Sequence, residues 1–139
     1  MDLSTALLAI ATLLSWGIGS FIAKLATVRI GESSVFWDLL GYAPAIFFYS
    51  LLTFKLKDLV TADKLGIFLA ILAGAIGSLG LVGFYVLLTR KEASVAVPMT
   101  ALYPALTAIL AFIFLKEPLT AAKVAGISLS VVALYLLSV

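Results

Sequence analysis

The sequence predicts an all-α integral membrane protein, and three observations carry that prediction. Of its 139 residues, 64% are hydrophobic and only 12% are charged, about half the charged share of an ordinary soluble domain. The charges gather in clusters, and the apolar stretches between them have roughly the 20 residues that a helix needs to cross a hydrocarbon core about 30 Å thick. These stretches are too long and too continuously apolar for barrel strands, so helices, which satisfy their own backbone, are the form that lipid permits.

Five spans follow in order: about Leu3 to Val28, Val35 to Phe54, Leu65 to Leu88, Ser94 to Leu115 and Ala121 to Val139. Connections as short as "TRKEA" and "KEPLT" make successive helices antiparallel neighbours and leave no room for a soluble domain, so residues 1–139 read as one transmembrane domain. The first apolar stretch reads as retained: Asp2 stands where a signal peptide is basic, and the stretch outruns an h-region of about 7–15 residues.

Composition also excludes chemistry. The chain has no cysteine and no histidine, which removes thiolate nucleophiles, imidazole bases and the usual zinc and haem ligands. No acid/base pair or metal set takes their place, so the expectation is a protein without cofactor or metal, and not an enzyme. The net charge of +2 is spread over short surfaces without a basic, aromatic-interleaved stripe, which argues against nucleic acid.

An odd number of spans puts the two ends on opposite sides of the membrane. Lys55, Lys57, Lys64, Lys116 and Lys123 then share the N-terminal side, against Lys24, Arg29, Arg90 and Lys91 on the other. The near-tie gives the positive-inside rule little to act on. Either the first span and factors beyond a count decide orientation, or copies insert both ways and supply two inverted halves of one machine.

Several residues stand out against the apolar background. Thr12, Trp16, Ser20 and Lys24 recur every fourth residue on the first helix, a polar and aromatic stripe suited to a solute path, although Thr and Ser can also bond their own backbone. Lys24 lies 21 residues after Leu3, about 32 Å along the axis; it either snorkels to the interface or, on a tilted helix, faces inward as an anion contact. Asp38, the one acid within an apolar span, is either placed near a helix N-terminus or serves as a proton- or cation-coupling carboxylate. Pro98 and Pro104 withhold N–H partners from the carbonyls of Ser94 and Thr100, which predicts a kinked or opened fourth helix with the hydroxyls of Thr100 and Tyr103 close by.

Two small-residue faces are also readable. Glycines 74, 77, 80 and 83 step about 300° each and trace a slowly turning groove on the third helix, suited either to packing within a subunit or to lining a path. Ala122, Gly126 and Ser130 recur at four-residue spacing on the last helix, a face for a dimer seam or for packing within one copy. Lys116, Glu117, Pro118 and Thr120 read as a turn, with Thr120 capping the next helix. Arg90, Lys91 and Glu92 form another turn, and its basic residues can touch anionic lipid headgroups.

The segment "FYVLLTRKEASVAVPMTALYPALTAILAFIFLKEPLTAAKVAGISLSVVALYLL" resembles the EamA-type repeat of the drug/metabolite transporter superfamily. The resemblance lies in an ordered set: a Gly-rich third span ending in Phe84 and Tyr85, a basic turn, Pro98, Leu-Tyr-Pro104, an "FLKEPLT" turn and a last helix containing Gly126. "LLSWGIGSFIAKLA" is similar to the family's first span, whereas the second span carries Asp38 and Pro44 in place of an early arginine. The chain looks like the single-repeat, five-span type of bacteria and archaea, which implies a multi-pass protein of the prokaryotic plasma membrane and a ten-helix homodimer, parallel or antiparallel.

The expected function is secondary transport of a small organic metabolite or amphipathic compound by alternating access, at a site between two subunits. Trp16, Ser20, Lys24, Tyr85, Thr100 and Tyr103 are the expected substrate contacts, Asp38 the coupling residue and Pro98 with Pro104 the hinge. The competing reading is an assembly or lipid-handling accessory subunit without transport of its own. Membrane lipids are partners under both.

Overall fold

A computed structural model describes residues 2–53 and 61–138. Its helices are α1 (Leu3–Ile30), α2 (Ser34–Thr53), α3 (Lys64–Arg90), α4 (Ala93–Thr100), α5 (Tyr103–Leu115) and α6 (Ala121–Ser138), with a 3-10 turn at Gly31–Ser33 between the first two. There is no strand among the described residues. Phe54, Lys55, Lys57 and Val139, and with them the end of the second and of the last predicted span, lie outside the described residues. The other predicted span limits fall within two residues of a helix end.

Three stretches are long and apolar enough to cross a membrane: Leu3–Thr53, Lys64–Arg90 and Ala93–Leu115. The first has 51 residues, enough for two crossings of about 20 residues each, and it is divided at Gly31–Ser33. Ala121–Leu136 is a shorter apolar helix.

Local chemistry explains where helices begin and end. Asp2 caps α1: its carboxylate accepts from the Thr5 N–H at 2.9 Å and from the Ser4 hydroxyl at 3.1 Å, satisfying a donor that the first turn leaves unpaired. Hydrogen bonds from Thr5, then from Ser4, hold this carboxyl below its usual range. α1 stops at Gly31, whose φ of 65° lies where a Cβ would clash and glycine is favoured. The hydroxyls of Ser33 and Ser34 then donate to the carbonyls of Ile30 and Gly31 at 2.6 and 2.7 Å, absorbing acceptors freed where the helix ends. Thr120 accepts from the Lys123 N–H at 3.3 Å, and so caps α6 as its place in the turn predicts.

The chain divides into two compact units, Met1–Arg90 and Lys91–Val139. In the first, α1 packs on α3 and α2 touches both; in the second, α4 packs on α6. Burial is confined to a few positions. Ala23, Thr27, Ser34, Tyr85 and Leu88 are buried in the first unit and Ala96 in the second, while most large apolar side chains are exposed. Water would not tolerate so much apolar surface, whereas lipid tails are as apolar as leucine and impose no such penalty.

Candidate functional site

The buried residues of the first unit lie where α1 ends, α2 begins and α3 ends, and the polar groups of these helices meet there. Lys24, half-buried on α1, donates through Nζ to the Leu88 carbonyl at 2.6 Å. Leu88 belongs to the last turn of α3, where carbonyls lack intrahelical partners and the helix dipole presents its negative pole. The ammonium therefore caps a helix as well as carrying a charge into an apolar protein. One turn earlier on α3, the Tyr85 phenol interacts with the Asp38 carboxylate.

The neighbouring hydroxyls are turned inward on their own backbone. Thr27 donates to the Lys24 carbonyl at 2.9 Å, and farther down α1 Thr12 donates to the Leu8 carbonyl at 2.8 Å, an ordinary arrangement for Thr in an apolar helix. The cluster thus comprises one cation, one carboxylate and one phenol, held by three helix ends. It can present an ammonium to an anionic group and a carboxylate to a proton or cation. No group of His, Cys, Asp and Glu suited to a metal ion occurs among the described residues.

The residues expected at the site divide between the units. Lys24, Tyr85 and Asp38 come together in the first. Trp16 and Ser20 lie on the same helix, two turns and one turn before Lys24; Ser20 is half-buried and Trp16 is exposed. Thr100 and Tyr103 belong to the second unit. Thr100 ends α4 and donates to the carbonyls of Val97 and Ala96 at 2.9 and 3.3 Å, while Tyr103 opens α5. Between them the helix is interrupted at Ala101–Leu102, with Pro98 inside α4 and Pro104 in the first turn of α5.

The small-residue faces differ from each other. At Gly74, Gly77, Gly80 and Gly83 a Cβ would meet nothing in its own unit within 4 Å, so the α3 groove is empty there. A Cβ at Gly126 would likewise meet nothing within 4 Å, but Gly126 and Ser130 line a cleft between α5 and α6 in the second unit. Sequence reasoning missed that cleft and the Lys24–Leu88 contact. The first is lined largely by ordinary apolar residues, and the second uses a backbone acceptor, which no side-chain pattern signals.

Helices with apolar exteriors, and a small cluster of charged and phenolic groups where three of them meet, define an all-helical membrane protein. The chain matches the EamA-like transporter family over residues 3–139 and belongs to that family of membrane transporters of small molecules. An uncharacterized protein of Methanocaldococcus jannaschii is 28% identical over 124 residues, covering 89% of this chain and 88% of the relative. No solved structure matches.

Proposed function

We propose that two copies of this chain form a ten-helix secondary transporter of the prokaryotic cell membrane, each supplying five spans. It moves small organic metabolites or amphipathic compounds by alternating access through a site between the subunits. The observation that carries this reading is the convergence of Lys24, Tyr85 and Asp38 among apolar helices of a transporter-family chain. Ionisable groups in such a setting are costly and mark solute or ion paths.

Trp16, Ser20, Lys24, Tyr85, Thr100 and Tyr103 contact substrate in this proposal, and Asp38 couples the cycle to a proton or cation. Pro98 and Pro104 allow the fourth span to bend. The empty glycine groove of α3 supports a second copy, because helices associate in lipid through close backbone approach. Of the two small-residue faces it is the better seam; Ala122, Gly126 and Ser130 are the alternative, with two of the three already facing a cleft. The groove also suits an assembly subunit without transport of its own, which predicts no stabilisation of the purified protein by any solute.

Counterflow in liposomes tests the proposal. A metabolite screen should find a substrate whose flux falls strongly in Trp16→Ala and Tyr103→Ala. Equal flux in all three proteins, with cysteine labels reporting monomers, would remove both the site and the dimer.

A further inference from the structure

The second unit contains a cleft that shares only Pro104 with the substrate, coupling and bending residues assigned above. It is an open cleft between α5 and α6 of about 490 Å³, within the range of about 300–1,000 Å³ typical of small-ligand sites. Its walls are two helix faces, Ala105, Ala108 and Phe112 on α5 against Gly126, Ile127 and Ser130 on α6. Small residues on both sides leave the width, and Phe112 and Ile127 keep it apolar.

The mouth has a different chemistry. Glu117, from the turn, and Lys123, from the first turn of α6, both line it with opposite charges. They are not paired with each other among the described residues; Lys123 Nζ donates instead to the Pro118 carbonyl at 3.0 Å. From this mouth the cleft follows α5 to Pro104 and Ala101, where the helix is interrupted. The 13 residues of α5 cover about 20 Å, about two-thirds of a hydrocarbon core.

We infer that the cleft binds one zwitterionic phospholipid of the surrounding bilayer, of the kind whose head group carries a primary ammonium. The phosphate meets Lys123, the ammonium donates to Glu117, and one acyl chain descends between Ala108 and Gly126. Three features select this occupant. An anionic lipid would set its charge against Glu117, and a quaternary ammonium has no N–H to donate to it. A helix from a second copy, about 10 Å across, would bury both charges against apolar side chains. The lipid also enters sideways with its own orientation unchanged, head at the surface and chain along the throat. This inference rests on the membrane-embedded reading of the chain and not on its transport activity.

The full chain, released from nanodiscs of equal parts phosphatidylethanolamine, phosphatidylcholine and phosphatidylglycerol, can be weighed with its retained lipid by native mass spectrometry. The wild type should keep one phosphatidylethanolamine per chain in preference to the other two. Glu117→Gln and Lys123→Gln should each cut that preference about threefold, the scale of one partly exposed ion pair, and Gly126→Leu should abolish retention by filling the throat. Equal retention of the three lipids, enrichment of phosphatidylglycerol, or an undiminished preference in Glu117→Gln would overturn the inference. The last variant changes only the solvated turn and keeps the fold. Efficient cross-linking between copies through Gly126→Cys would also overturn it, by seating a second helix in the cleft. Counterflow measured on the wild type separates the two readings, because absence of flux for every metabolite tried, with the phosphatidylethanolamine preference intact, counts against transport alone.

Discussion

The first unit contrasts with itself along its length. Where α1 ends, α2 begins and α3 ends, Thr27, Ser34, Tyr85 and Leu88 are buried and Lys24 bridges two helices. Along the rest of the same helices Leu7, Phe47 and Leu79 are 58%, 65% and 73% exposed, and the α3 glycines have empty space beside them. In water the apolar lengths would drive the packing and the polar end would be solvated. Lipid reverses this: leucine gains nothing by leaving the tails for another leucine, whereas a carbonyl or ammonium gains a partner it can find nowhere else. Polar contacts therefore decide where these helices meet, and the apolar faces remain available to another chain.

Five substitutions, one of them a control, break or sharpen the contrast. The largest effect is expected from Lys24→Met, which removes the charged donor from the Leu88 carbonyl and should cost about 1.5–3 kcal/mol, read as a shift in the unfolding midpoint in mixed micelles. Gly31→Ala attacks the same end through the backbone. At φ 65° alanine pays about 1–2 kcal/mol, measured the same way, while Gly19→Ala, at a helical position with open space, should not destabilise. Gly77→Leu sharpens the contrast from the other side. It meets nothing in its own unit and should leave the stability of a single copy unchanged or raised by up to about 1 kcal/mol through helix propensity, while abolishing cysteine cross-links between copies along α3.

The smallest effect concerns Asp2, at the far end of α1 from the polar cluster. Its folded pKa lies below the usual value of 3.8, so its cap contributes fully above that value and the contribution fades as pH falls through the lower folded pKa. Backbone amide shifts of Ser4 and Thr5 should change over that acidic window in the wild type and not in Asp2→Asn, with the Lys24 end unaffected.

Much of the fold was legible because lipid imposes a length and a composition together. Charge clusters marked the turns at Gly31–Ser33, at Arg90–Glu92 and at Lys116–Thr120, and the helices run between them. The two prolines placed an irregularity in the fourth span, and Thr120 announced a cap by its position before an apolar run. The site was less legible. Spacing put Lys24 near a helix end and offered a choice between solvent and interior; the partner is a main-chain oxygen 64 residues away, and every residue has one of those. Asp38 and Tyr85 were each identified separately, but their meeting depends on how α2 and α3 approach each other, which periodicity within either helix does not encode. Glu117 read as a turn residue and Lys123 only as one cation of the N-terminal side, because the cleft beside them is made by how α5 and α6 lie against each other.

The interruption at Ala101–Leu102 has a mechanical consequence. α4 has 8 residues and α5 has 13, about 12 Å and 20 Å of rise, so neither rod reaches across a 30 Å core unaided. A continuous rod of that total length responds to a change in bilayer thickness by leaning as a whole, whereas a jointed one can alter the tilt of either segment while the other stays still.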